Sequence, residues 1–129
     1  MIAFIKTYYT SLARAGLVLA MTSIVILALM PLDKAPLPGV NDKLQHITAF
    51  LVLAFLIDAS IPEKPFTLWK VISLMSYGLL IEWLQFQTEY RFFSIADLIA
   101  DLAGIALYFF TIPIWKRLPL ISWRWSLTH

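Results

Sequence analysis

Four carboxylates and a histidine break into the apolar runs of this sequence at helical spacings. Asp42 lies four residues before His46, Glu82 lies between Gly78 and Gln85, and Asp97 lies four before Asp101, with Gly104 three further on. Residues three or four apart share a helix face, so each set can aim its groups at a common centre. Lys43 adds an ammonium and Arg91 a guanidinium able to grip a phosphate or carboxylate at two points. Three chemistries suit these types. Glu82 or Asp97 as a general base, His46 as an acid or base and Arg91 as an electrostatic stabiliser are the parts of an intramembrane enzyme. A divalent cation held by His46, Glu82, Asp97 and Asp101 would find the nitrogen and oxygen donors that zinc or manganese accepts. A binding site for phosphate, amine or hydroxyl groups needs the same charges and no reaction.

Each residue also has a plainer reading. Ser94 followed three residues later by Asp97 is a capping box at the start of a helix. Asp42 behind Asn41 fits a first helical turn, where the dipole favours an acid. Gln85 suits an interhelical hydrogen bond, and Asp58 can pair with Lys64 or Lys70. A purely structural bundle could use such buried pairs to fix helix register. Glu82 is the hardest to explain this way, because an ionised side chain in the middle of a membrane helix costs roughly 2.5–3.5 kcal/mol. No HxxxH or HExxH spacing accompanies the acids, and Ser94 is the one hydroxyl close to them in sequence.

The elements that must position these groups follow from composition. Of 129 residues 60% are hydrophobic and 14% charged, with a mean hydropathy of +0.80, which is a membrane composition and enough chain for one domain. The absence of cysteine excludes disulfides, thiol nucleophiles and thiolate metal sites. A net charge of +2 is too small to indicate nucleic acid. About 20 apolar residues are needed to cross a bilayer as a helix. Four segments satisfy this: Leu12 to Leu32, Leu44 to Ile61, Phe66 to Phe86 and Ile95 to Trp115. The expected fold is therefore all-α, a polytopic four-transmembrane-helix bundle occupying the whole chain. The connections "PLDKAPLPGVNDK", "SIPEKP" and "QTEYR" are loops, and residues 116–129 form a tail expected along the headgroups. The first segment is expected to be retained, since no small-residue cleavage site follows Met30.

Lysine and arginine set the orientation. Lys6, Arg14, Lys64, Lys70, Lys116, Arg117 and Arg124 fall on the side of the termini, against Lys34, Lys43 and Arg91 on the other, so both termini are expected in the cytoplasm. Asp33, Asp42, Glu82, Glu89, Asp97 and Asp101 then make the outer half net negative, and function is expected to face outward.

The segments "NDKLQHITAF", "GLLIEWLQ" and "RFFSIADLIADLAG" together resemble the VanZ-like family of small integral membrane proteins, in order and at family-like separations. The resemblance covers the second to fourth segments and carries over to Asp42, Lys43, His46, Glu82, Gln85, Arg91, Asp97 and Gly104. Asp101 stands where the family usually has Asn, and Tyr108 where a small residue is common, so the site here is more acidic. The resemblance implies a bacterial plasma or inner membrane protein of the cell envelope. It also implies a link to low-level resistance against the glycopeptide antibiotic teicoplanin. The expected partners are the bilayer, a polar lipid headgroup or a lipid-linked cell-wall precursor at the outer leaflet, and further copies of the chain. Whether the protein is an enzyme acting on a lipid-linked substrate stays open.

Overall fold

Among the described residues the chain forms four α-helices, α1 (Ile2–Ala28), α2 (Asp42–Ser60), α3 (Leu68–Phe86) and α4 (Ile95–Trp115), followed by a 3-10 helix at Ser122–Leu127. The structure, a computed structural model, describes residues 2–30, 42–88 and 93–127. Among the described residues, three helices are long and apolar enough to cross a membrane: Ala3–Ala28, Asp42–Ser60 and Ile95–Trp115. The chain is thus all-α with the helices of an integral membrane protein. α3, which carries Lys70, Glu82 and Gln85, is not among these three.

α3 and α4 match the segments read from hydropathy to within two residues, and α2 begins two residues earlier, at Asp42. The first segment does not match. α1 starts ten residues before Leu12, because Lys6, Thr7, Tyr8, Tyr9 and Thr10 lower the hydropathy of the leading turns without breaking them. No glycine or proline interrupts Ile2–Ser11, so the helix continues through it.

α2 is the central element, packed on α1, α3 and α4, and its most extensive neighbour is α4. Phe50, Leu53 and Ala54 of α2 meet Leu74 of α3 and Ile105 and Tyr108 of α4 in the core. The buried face of α4 runs Asp97, Ala100, Asp101, Gly104, Ile105, Tyr108, a helical repeat of three and four. Ala100 and Gly104 lie on this seam, whereas Ala96 is exposed. Gly104 lets the two backbones touch: a Cβ there would overlap the carbonyl oxygen of Ile47 and sit 3.0 Å from the Leu51 nitrogen. Small residues serve this purpose between membrane helices, where packing rather than hydrophobicity drives association.

α1 lies outermost and is held by polar links as well as by packing. The Tyr77 hydroxyl donates to the Met21 carbonyl at 2.6 Å, the Gln85 amide to the Ala28 carbonyl at 3.0 Å, and Arg14 Nε to the Ser60 carbonyl at 3.1 Å. Large apolar side chains such as Val18, Leu19, Ile72, Leu79, Ile99 and Phe110 remain exposed around the bundle, as a lipid environment permits.

Candidate functional site where α2, α3 and α4 meet

The start of α2, the end of α3 and the start of α4 converge at one end of the bundle, and polar side chains from all three meet there. The local causes are simple. Asp42 and Lys43 open α2, placing His46 one turn inside. Ser94 is the N-cap of α4, its hydroxyl accepting the Asp97 amide at 3.2 Å. In a capping box the Asp97 side chain would return to the Ser94 amide. Here that amide donates instead to Glu82 Oε2, at 3.1 Å, from α3. Glu82 therefore caps α4 from a neighbouring helix. Sequence neighbours offer no structural explanation of Glu82, and the fold supplies one. It is half an explanation: Glu82 is wholly buried, and its Oε1 has no hydrogen-bond partner among the described residues.

Released from the cap, the Asp97 carboxylate turns to α2. Its Oδ1 accepts from Lys43 Nζ and its Oδ2 lies 3.6 Å from His46 Nε2. The other imidazole nitrogen, Nδ1, is 2.7 Å from Asp101 Oδ1. With Asp101 ionised, and so only an acceptor, Nδ1 donates to it, while Nε2 faces Asp97 and Asp42, the latter at 3.9 Å. Asp42 is half-exposed and also lies 3.8 Å from Lys43 Nζ. Asp101 is buried, its Oδ2 has no hydrogen-bond partner among the described residues, and Gly78 of α3 makes room for it: a Cβ on Gly78 would sit 2.7 Å from that oxygen.

The sequence-derived site is therefore assembled in most of its parts. Asp42, Lys43, His46, Asp97 and Asp101 touch one another in a chain of pairs, and Glu82 lies within electrostatic reach of Lys43, His46, Asp97 and Asp101. Gln85 is buried at the same end, but its amide nitrogen is used on α1, in the interhelical role its type suggests. A cavity of about 110 Å³ beside it is lined by Asp42, Gln45, His46, Phe50, Ile81 and Gln85. Arg91 lies outside the described residues. Of the four residues considered as cation ligands, His46 and Asp97 present donors to one point together with Asp42, within 4.8 Å of one another. Asp101 stands on the opposite side of the imidazole.

A second polar cluster closes the other end of the bundle. Asp58 of α2 accepts from Lys70 Nζ at 2.7 Å and from the Tyr108 hydroxyl, and its Oδ2 forms an ion pair with Arg124 Nη2 at 2.9 Å. Lys70 also donates to the carbonyls of Ile61 and Lys64, and Arg124 to the carbonyl of Asp58. All four side chains are buried. Burial opposes the charge on Arg124, but Asp58 and then the hydrogen bond with Tyr108 outweigh it and raise the guanidinium pKa above its ordinary value. The Lys70 pairing is one of the two that the sequence suggests. Nothing in the spacing names Arg124 and Tyr108 as further partners of Asp58. The one signal is an arginine between two tryptophans, "WRW", in a tail with no apolar periodicity to justify them. Lys70 and Arg124 are two of the seven basic residues counted for the expected cytoplasmic side; the other five, Lys6, Arg14, Lys64, Lys116 and Arg117, are exposed.

No family model, curated protein or solved structure matches the chain.

Proposed function

We propose that the protein is a four-crossing, VanZ-like membrane protein whose α2–α3–α4 end faces the outer leaflet and binds the polar headgroup of an envelope lipid or lipid-linked cell-wall precursor. The observation that supports this reading is the meeting of carboxylates from three helices with His46 and Lys43, beside a wholly buried Glu82 that keeps one oxygen unpartnered among the described residues. Buried ionisable groups in membrane segments are retained where they are paired, hydrated or used. The pairs within the cluster leave an acceptor over, which suits a ligand offering amine or hydroxyl donors. Lys43, bridging Asp42 and Asp97 at the half-exposed rim, is the cation that a headgroup phosphate would meet. The apolar segment at Phe66 to Phe86 supports α3 as the fourth crossing, the charge asymmetry of the sequence supports cytoplasmic termini, and the VanZ-like resemblance supports an inner or plasma membrane location. Glycopeptides of the teicoplanin type carry amines and hydroxyls on an amphiphilic frame and are a second ligand class of the same chemistry.

The test is lipid retention. Protein extracted in native-lipid discs should carry an enriched headgroup class, identified by mass spectrometry. Glu82→Gln keeps an oxygen acceptor and should retain it, whereas Glu82→Ala should lose most of the enrichment while remaining folded. Equal lipid composition in wild type and Glu82→Ala contradicts the binding reading. Retention by Glu82→Gln together with loss of a lipid-modifying activity would move the assignment to the enzyme, with Glu82 as its base.

A further inference from the structure

We infer that Asp42, His46 and Asp97 form a binding site for a divalent cation of the zinc or manganese class, with Asp101 as the group that orients the histidine. The inference concerns the same end of the bundle as the proposed function and rests on that end being open to solvent through Asp42.

Four observations lead to it. First, donor type and spacing fit. His46 Nε2 lies 3.6 Å from Asp97 Oδ2 and 3.9 Å from Asp42 Oδ2. Ligands of a tetrahedral zinc, bound at roughly 2.0–2.2 Å, are separated by about 3.4 Å, so small side-chain movements close the set. Second, the histidine is prepared for metal. A ligating imidazole commonly donates its remote N–H to a carboxylate, which fixes the tautomer and strengthens the donor. Asp101 stands at 2.7 Å from Nδ1 in that role, and it is buried, whereas a carboxylate needed only for surface charge would not be. Third, the layer gathers four carboxylates: Asp42, Glu82 and Asp97 lie within electrostatic reach of Lys43, and Asp101 within reach of His46, Asp97 and Asp42. Lys43 engages Asp97 through Oδ1, which leaves Oδ2 for the metal. Fourth, Glu82 Oε1 is buried without a hydrogen-bond partner among the described residues, within electrostatic reach of His46 and Asp97, an acceptor for a water carried on the ion.

Three protein ligands leave coordination positions for solvent or for a headgroup oxygen, as in open rather than closed metal sites. The ion would then join an acidic pocket to an anionic ligand.

Metal binding to the purified full chain, stripped with chelator and reconstituted in lipid discs, tests this. Titrated cobalt should give ligand-field absorption saturating at one ion per chain, and zinc should displace it. His46→Ala should abolish the spectrum, and Asp101→Asn should weaken affinity by roughly 10–100-fold with unchanged stoichiometry. Lys43→Met should bind at least as tightly as wild type, because its ammonium competes for the same carboxylates, and His129→Ala should bind normally. X-ray absorption of the wild-type zinc complex should show a nitrogen and oxygen shell with imidazole scattering, a readout that needs no variant to fold. No cobalt spectrum in the wild type, or undiminished affinity in a folded His46→Ala, overturns the inference. Loss of lipid enrichment in Glu82→Ala with an intact cobalt spectrum supports the metal site and leaves the headgroup reading standing beside it. Intact lipid enrichment in the wild type with no metal counts against this inference alone.

Discussion

Asp58→Ala is expected to be the most damaging single substitution in the chain, with little folded protein recovered in mild detergent. Asp58 is the one acid among four buried partners, and its removal strands the charges of Lys70 and Arg124 together with the hydroxyl of Tyr108. Breaking a buried ion pair by deleting one member costs about 3–5 kcal/mol, because the remaining charge is left uncompensated. Here two charges remain, and they repel. Lys70 keeps two carbonyl acceptors and Arg124 keeps one, so hydrogen bonds to the backbone mitigate the loss without neutralising it. Thermal unfolding followed by circular dichroism should show a large downward shift for Asp58→Ala and a smaller one for Asp58→Asn. The shift should be partly reversed when Lys70→Met and Arg124→Met are added. Unfolding at the wild-type temperature in Asp58→Ala would mean that the cluster does not hold the bundle's closed end.

Gly104→Val is expected to separate α2 from α4. Ordinary overpacking of a core costs about 1–3 kcal/mol because side chains can move to other rotamers. At Gly104 the obstacle is backbone: the Ile47 carbonyl and the Leu51 nitrogen occupy the space that a Cβ would take, so relief requires the helices to part. The Lys43–Asp97 and His46–Asp101 contacts span the same seam and should be lost together with stability. Gly104→Ala should show the same effects at lower magnitude. Gly16 is the control. A Cβ there would meet the side chain of Leu56 at 3.4 Å, an ordinary contact, and Gly16→Ala should be nearly silent. Equal unfolding temperatures for the alanine variants at 16 and 104 would contradict the close backbone approach.

Much of this arrangement is legible in the sequence because helical periodicity is local. Gly78, Glu82 and Gln85 do share a buried face, as do Asp97, Asp101 and Gly104, and the four-residue step from Asp42 does bring His46 onto the same centre. What is not legible depends on partners remote in sequence. Glu82 looks unexplained until α3 is placed beside Ser94, whose amide it accepts. Asp97 looks like a helix cap until that task passes to Glu82 and its carboxylate turns to Lys43. Arg124 lies 66 residues from Asp58, in a tail whose composition describes an interfacial segment equally well, and no pattern of spacing links the two. The leading turns of α1 are hidden for a different reason: hydropathy marks where a helix is apolar, while the absence of breakers decides where it ends.

The convergence of α2 and α4 at His46 and Asp101 is the geometry on which the candidate site depends, and the cysteine-free chain allows a direct measurement of it. His46→Cys and Asp101→Cys, introduced together and treated in membranes with a short bifunctional thiosulfonate, should cross-link within one chain, so that cleavage in the loop between α2 and α3 no longer separates the fragments. The pair His46→Cys and Ile99→Cys, whose second position is 63% exposed on the outer face of α4, should not. Cross-linking of the 46–99 pair but not the 46–101 pair would contradict the account.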